Sequence, residues 1–438
     1  MPGRVGTCKR IAGWAPGGVG TGRRAEPGGV YGLHGYARRA RAQDAVRPRR
    51  GSAGWNPRAV TMAGFGLSSL GAVVILFWLL ANLAFLRRMR PASVHRSGHV
   101  VLILPLAGAP PGLPTLLRAL AGQSLPPARL IVATEQGDEG AMRAAGSVPL
   151  PFPVEFVTAA PAAHRGQKCS NILAGLARLT AEEPVIVLLD ADIRPPPWWL
   201  STLASPVLDG TADLVTGYRW LQPGPGPASQ LAAWLDRSVV ALPRVRWMPV
   251  AWGGSLALGP AALAEGAAAA ALERTLSDDL SLAEMAARRG LRVLTRRILL
   301  LPTPLEGGPG AVAGFVVRQH RILHLYRPAL WWAGAAASQV MCLLWLWLVL
   351  AAPLWLPLLP AWGALRWTLH DRIARRLGEA DPARTRLAQL LLAVSPVPDV
   401  LSAAFHWASL FPRRITWHHV TYDVTGPESV RVLRRAAP

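Results

Sequence analysis

The sequence predicts an α/β domain with a mostly parallel sheet, set between membrane helices at both ends, and three observations predict it. Between residue 97 and about residue 305, short apolar runs alternate with helix-like segments: "HVVLILPL" (99–106), "ARLIVAT" (128–134), "PVIVLLD" (184–190) and "ADLVTGY" (212–218). That order builds a parallel sheet with helices on its faces. Before them lies "FGLSSLGAVVILFWLLANLAFL" (65–86), 22 residues without a charge, enough to cross a hydrocarbon core roughly 30 Å thick. After them, Ala329 to Leu365 holds 37 residues with no Asp, Glu, Lys or Arg. Composition agrees, since 51% of the 438 residues are hydrophobic and the mean hydropathy is +0.26, high for a wholly soluble chain.

The formal charge of +22 by itself points to nucleic acid or an anionic membrane surface. Its distribution argues against nucleic acid, because residues 1–61 hold 12 Lys and Arg against 2 Asp and Glu, about half of the excess. That stretch is rich in Gly, Pro and Arg and lacks apolar periodicity, so it reads as a disordered basic tail. The other reading is a mis-assigned start, with translation beginning at Met62. A transit peptide fits less well, since no amphipathic helix is evident. Cys8, Cys169 and Cys342 show neither metal-site spacing nor a credible disulfide set.

The span at 65–86 is followed at once by "RRMR" (87–90), and positive charge after a first span places that end in the cytoplasm. The domain at 97–328 then follows on the cytoplasmic side. Its runs are continuously apolar, as for strands covered on both faces, and in such sheets ligands sit at the carboxyl ends of strands. The uncharged stretch from Ala329 is broken by Pro353, Pro357 and Pro360, which fits two tight spans or one span plus an interfacial helix. The basic "RWTLHDRIARRLG" (366–378) would prefer the cytoplasm and favours the two-span hairpin. Leu387 to Phe411, carrying Pro396, Pro398 and Asp399, reads as re-entrant or spanning. Residues 329–411 thus hold two or three membrane helices, with a cytoplasmic tail at 412–438.

Candidate chemistry begins at "VIVLLDADIRPPPWWL" (185–200), where a strand ends in Asp190 and Asp192. Two carboxylates one residue apart can turn toward one hard cation, Mg²⁺ or Mn²⁺, which shares its coordination with substrate phosphates. The bland reading is a turn cap at Asp192 and a strand-end residue at Asp190. Upstream, "HRGQKCSNILAGL" (164–176) sets Lys168 and Asn171 beside a helix-like segment. Downstream, "LERTLSDDLSLAEMAARRGLRVL" (272–294) opens an amphipathic helix with Asp278 and Asp279, favourable with the helix dipole or, alternatively, catalytic. "VVRQHRILHLYRP" (316–328) sets Arg318 and Arg321 on one helical face before the membrane. They are either a juxtamembrane patch for anionic lipid or a diphosphate clamp.

The order of these features resembles the membrane-anchored family-2 glycosyltransferases, in particular the ceramide glucosyltransferase-like branch that includes hopanoid-associated enzymes. The resemblance covers about residues 65–425 and implies a GT-A-like, Rossmann-like domain. In "VATEQGDEG" (132–140), Asp138 and Glu135 take the place of the acidic cluster that contacts the nucleotide. Lys168 and Asn171 match the K-x-x-N-L element, and Asp190 and Asp192 the metal and sugar-nucleotide motif. "GGSLALGP" (253–260) resembles the loop before the acceptor site. Asp279 matches the general base, Asp278 its acidic neighbour, and Arg318 and Arg321 the (Q/R)-x-x-R-W motif. "PDVLSAAFHWASLFPRRITWHHVTYDV" (398–424) resembles the family's tail, where a tryptophan-basic element returns to the cytoplasmic face.

The implied enzyme is an inverting hexosyl- or N-acetylhexosaminyl-transferase. It would move a sugar from a nucleotide-diphosphate donor, expected to be a UDP-sugar, to a hydroxyl of a ceramide-, hopanoid- or other glycolipid-type acceptor. The resemblance implies Mg²⁺ or Mn²⁺ at Asp192 and Asp190, a bacterial inner-membrane location with the catalytic domain cytoplasmic, and no nucleic-acid partner. Three departures stand out: Ile322 where the family has Trp, a thin first acidic cluster, and His418 and His419 after Trp417. The rival readings are a processive polysaccharide synthase, which would need more spans, and a catalytically inactive membrane protein of this fold.

Overall fold

The structure is a computed structural model that describes residues 57–89, 97–242, 248–305, 307–378, 381–411 and 414–436. Most of the basic stretch 1–61 lies outside the described residues. The chain enters through one long helix, α1 (Pro57–Arg87). The α/β domain follows as β1 (Val100–Pro105), α2 (Leu113–Ala121), β2 (Arg129–Glu135), α3 (Glu139–Gly146), β3 (Val154–Ala159), α4 (Gln167–Leu176), β4 (Val185–Leu189), α5 (Trp199–Leu208), β5 (Leu214–Pro223) and α6 (Pro227–Val240). It is completed by β6 (Ser255–Leu258), α7 (Pro260–Leu263), α8 (Ala267–Leu272), α9 (Asp278–Arg288), β7 (Val293–Leu305) and α10 (Pro309–Tyr326).

The seven strands form one sheet in the order β3-β2-β1-β4-β6-β5-β7. β6 runs antiparallel to both β4 and β5 while the other pairs are parallel, so the sheet is mostly parallel as the sequence predicts. The central runs are apolar at every position because both faces are covered. On one side Leu102, Leu104, Val187 and Leu189 meet Leu116, Leu120, Trp199 and Leu203. On the other, Val101, Ile103, Ile186 and Leu188 meet Ile172, Leu272, Leu282 and Ala286. Burying each such side chain stabilises the fold by about 1.5–3 kcal/mol, and the two-residue strand period assigns neighbours to opposite faces. β5 and β7 shift register beside Gly217, where a Cβ would lie 2.5 Å from the Leu299 carbonyl oxygen; the bulge needs glycine there.

Past the domain come α11 (Pro328–Ala351), α12 (Leu358–Arg376), α13 (Ala383–Ala393) and α14 (Val397–Ala408). Two helices among the described residues are long and apolar enough to cross a membrane, Met62–Arg87 and Pro328–Ala351; α13 and α14 qualify only together and are bent by 76° at their junction. α12 starts apolar and ends "HDRIARR", so the Ala329–Leu365 stretch yields one long apolar helix followed by an amphipathic one. The C-terminal end of α1 is fastened to the domain, where Phe85 and Leu86 pack with Trp220, Leu300, Leu369 and Ile373.

The stretch 412–438, expected as a tail, is largely a three-stranded antiparallel sheet: β8 (Arg414–Trp417), β9 (Val420–Gly426) and β10 (Ser429–Arg435). Its alternation of Ile415, Val420, Tyr422, Val424 and Val430 gives it one apolar face, which packs on Leu276, Ile322 and Leu325. Ile322 therefore fills a hydrophobic contact between α10 and this sheet.

Candidate active site

β4 delivers Asp190 at the carboxyl edge of the sheet, and Gly166 starts α4 so that Lys168 falls in its first turn. The Lys168 ammonium stands 2.7 Å from Asp190 Oδ1 and 3.1 Å from Asp278 Oδ2. Burial alone would lower the lysine pKa, but Asp190, Asp278 and Asp279 outweigh it and hold the ammonium well above its ordinary value. Asp278 is buried, and that burial pushes its carboxyl up to about 6 against the pull of Lys168. Asp192 is open at the surface, yet the protein packed around its carboxyl, together with the charge of Asp190, pushes its pKa up to about 6.

Ser277 occupies the N-cap of α9, so Asp278 and Asp279 open the helix at its positive end. Asp279 is half-buried. Its Oδ2 accepts from the Gly253 amide at 3.2 Å, and its Oδ1 accepts from the Leu280 amide at 2.7 Å and from the Ser277 hydroxyl. Gly253 has no room for a side chain, since a Cβ there would lie 2.4 Å from Asp278 Oδ2 and 2.9 Å from Lys168 Nζ. The loop carrying the acid pair is pinned from the junction of α10 and α11. The Tyr326 hydroxyl accepts from the Leu276 and Ser277 amides at 2.9 and 3.2 Å, and buried Arg327 bonds Glu284 and the Leu280 carbonyl.

Against this geometry stands one sequence comparison of broad reach: the model for glycosyl transferase family 21 matches residues 65–430. The chain belongs to glycosyl transferase family 21. It is thus a glycosyltransferase of a GT-A-type family, where the resemblance had pointed to family 2. No curated protein matches it. Solved structures that it is similar to include glucosyl-3-phosphoglycerate synthase from Mycobacterium tuberculosis. In the complex with phosphoglyceric acid the identity is 15%, over 52% of this chain and 78% of that one, with a TM-score of 0.32. In the complex with Mn²⁺ and UDP-glucose the identity is 16%, over 51% and 78%, with a TM-score of 0.32. At that degree of superposition no residue of theirs is carried over to this chain.

The other motif residues of this family 21 glycosyltransferase lie on β2, α4 and α10 and at the start of α3. Asp138 caps α3, accepting from the Ala141 amide at 2.9 Å and the Gly108 amide at 2.7 Å. Glu135 is buried and bonds His419 Nε2 at 2.7 Å and the Arg435 guanidinium. Asn171 donates to the Leu106 carbonyl at 3.2 Å and accepts from Gln167 Nε2 at 3.0 Å. All three brace the ends of β1 and β2. Arg321 is buried, donating to the carbonyls of Leu410 and Val424, whereas Arg318 is half-buried and donates to the Thr416 carbonyl at 3.4 Å. Burial and the charge of nearby Arg219 both lower the Arg318 pKa, an environment that an anion would relieve.

Sequence reasoning missed Arg219. It projects from β5, pairs with Asp236 at 2.7 Å, lies 5.0 Å from the Phe315 ring, and is felt electrostatically by Asp192 and Asp279. The signal was present as one charge inside the buried strand "LVTGYRWLQP". It also missed the brace from the C-terminal sheet, where the Tyr422 hydroxyl accepts from the Gln167 amide at 2.9 Å and Trp417 lies 6.0 Å from Lys168 Nζ.

Proposed function

We propose that the chain transfers a sugar, with inversion, from a UDP-sugar to the hydroxyl of a membrane lipid of ceramide, hopanoid or other glycolipid type. The observation that carries this reading is the Lys168 bridge, which gathers Asp190 and Asp192 with Asp278 and Asp279 at one edge of the sheet. Donor-side and acceptor-side acids then lie together at one edge of the sheet.

Asp279 is the base that receives the acceptor proton: its carboxylate is aimed by the Gly253 and Leu280 amides and remains partly open. Asp278 and Lys168 fix that loop. Arg318 meets the diphosphate, with Arg219 behind it, and Arg321 holds α10 against the C-terminal sheet. Nucleotide contacts at Asp138, Glu135 and Asn171 would come through the loops they brace. Among the described residues no group of three or more His, Cys, Asp or Glu forms a ready-made metal cage. Asp190 and Asp192 nonetheless suit Mg²⁺ or Mn²⁺, which are held by one or two carboxylates and complete their shells with phosphate and water. The mutual repulsion of the pair is what a cation relieves. Bound there, the ion would act as a Lewis acid on the departing diphosphate.

The apolar helices support a membrane location. α1 exposes Phe65, Val73 and Leu80, and α11 exposes Leu346, Val349 and Leu350. In this reading they sit in a bacterial inner membrane with residues 97–328 on its cytoplasmic face and a lipid acceptor reaching up from the bilayer. The test uses membranes containing the full chain, a panel of labelled nucleotide sugars, lipid extract, and Mn²⁺ or excess chelator. Metal-dependent label in the lipid phase, lost in Asp192→Ala and Asp279→Ala, is expected. Label confined to insoluble polymer, or no transfer from any donor, would overturn the reading.

A further inference from the structure

We propose that a polar cleft between the C-terminal sheet and the loops before α4 and α9 binds the zwitterionic headgroup of a phospholipid, a phosphate carrying a primary ammonium. The cleft has a volume of about 330 Å³, at the lower end of the range for ligand pockets, roughly 300–1,000 Å³. Arg431 and Asp423 come to it from β10 and β9, and Glu428 from the turn between them. Arg274 reaches it from the segment joining α8 to α9, and His164 from the loop between β3 and α4. Arg431 and Asp423 stand directly opposite each other across the strand pair, a spacing at which opposite charges interact. Among the described residues, none of Arg274, Arg431, Asp423 and Glu428 takes part in an ion pair. Two cations and two anions thus line one cleft, each without a counter-charge of its own.

Backbone bonds hold the frame of the cleft. The Val432 amide donates to the Ala163 carbonyl at 3.2 Å, which fastens the His164 loop to β10, and the Gly166 amide donates to the Thr275 carbonyl at 2.8 Å, which joins the two loops. Tyr326 gathers both walls, since its hydroxyl bonds the Thr275 hydroxyl at 2.7 Å and donates to the Pro427 carbonyl at 3.1 Å. A site framed in advance pays less ordering entropy when a ligand enters. Tyr326 also fixes where the cleft lies. It stands just before Pro328, where the apolar helix Pro328–Ala351 begins. Arg274 and Glu428 each adjoin a residue bonded to Tyr326, and so sit beside the start of that helix.

The side chains name the occupant. A bare phosphate would meet Asp423 and Glu428, and a bare amine would meet Arg274 and Arg431, so either one sets like charges together. An occupant with both charges answers all four. Guanidinium groups bind phosphate in a fork, and a primary ammonium brings three donors to the carboxylates. A quaternary ammonium has no N–H and is held by aromatic faces instead. Among the described residues no Trp, Tyr or Phe lines the cleft. Its place beside the start of α11 makes a lipid the source of the group, in preference to a free metabolite. The inference rests on reading α11 as a membrane helix. It does not depend on sugar transfer.

The test uses the full chain in nanodiscs made from equal parts of phosphatidylethanolamine, phosphatidylcholine and phosphatidylglycerol with the same acyl chains. Retained lipid is counted by native mass spectrometry. Phosphatidylethanolamine is expected to be kept at least fivefold over either competitor, and that preference should vanish in Arg274→Gln/Arg431→Gln and in Asp423→Asn/Glu428→Gln. Equal retention of the three lipids, or a preference unchanged in the folded variants, would overturn the proposal. Retention of phosphatidylglycerol instead, lost only in the arginine variant, would replace the zwitterion with a simple anion and overturn it as well. A second measurement adds soluble phosphoethanolamine to the chain in phosphatidylcholine nanodiscs. A higher melting temperature there, without retention of phosphatidylethanolamine, would overturn the lipid source. If the variants fail to fold, the lipid preference of the unaltered chain decides. Because the readout is binding, its failure is separate from any failure to transfer sugar.

Discussion

The ammonium of Lys168 lies 2.7 Å from Asp190 and 3.1 Å from Asp278, tying the end of β4 to the start of α9 through a side chain from α4. One largely buried cation therefore sets the spacing of two acid pairs that stand 88 residues apart in sequence, from Asp190 to Asp278.

Replacing Lys168 with methionine leaves two inward carboxylates without their counter-charge. Breaking a buried pair from one side costs roughly 3–5 kcal/mol, so the variant should melt several degrees lower and lose transfer at least a hundredfold. Thermal unfolding in detergent checks the first part and the lipid-label assay the second. Unfolding at the wild-type temperature would show that the bridge does not bear on stability.

Gly253→Ala places a methyl group where the Asp278–Lys168 contact lies, at 2.4 Å and 2.9 Å. Overpacking of this kind costs about 1–3 kcal/mol, and activity should fall by at least tenfold. Gly314→Ala on α10, where a Cβ meets nothing within 4 Å, is the control and should leave both stability and activity near wild type. Parallel melting curves and rates decide between local crowding and a general intolerance of glycine replacement.

Asp279→Asn retains the size of the side chain while removing the proton acceptor. A positioned base contributes roughly 10²–10⁴-fold, so kcat should fall by that order with little change in KM for the donor. A variant with raised KM and unaltered kcat would assign Asp279 to binding.

Tyr422→Phe removes the acceptor of the buried Gln167 amide. An amide stranded in this way costs about 1–3 kcal/mol, and it lies next to Lys168. Lower thermal stability with partial loss of transfer is expected. Full activity at wild-type stability would separate the C-terminal sheet from the site.

Acid should weaken the tie between the start of β2 and the turn before β4 through Glu183. Its side-chain hydrogen bond with Arg129 holds its pKa below the ordinary value, so the folded state binds this proton less readily than the unfolded one. The stabilisation is therefore complete above the unfolded carboxyl pKa of about 4.3 and is lost as pH falls through the lower folded value. Glu183→Gln should be less stable than wild type at pH 7, and the gap should close as pH falls below about 4. Melting temperatures of both proteins across that range measure it, and a gap that does not narrow would contradict the linkage.

Local pattern determined much of this protein. Continuous apolar runs announced β1, β2, β4 and β5 because strands covered on both faces need no polar side. The uncharged stretch at 65–86 announced α1, because its length and composition are local properties. The same holds for the acids at the strand end and at the helix start, whose positions follow from where each element stops or begins. The sheet order decided the rest. Only when β1 lies between β2 and β4, with β6 inserted antiparallel, does Lys168 reach both Asp190 and Asp278. Only a folded C-terminal sheet brings His419 and Arg435 onto Glu135. Asp138 and Asn171 likewise bond Gly108, Ala141, Leu106 and Gln167. Such pairings join side chains up to 300 residues apart, and they depend on strand order and packing, which no periodicity along the chain encodes.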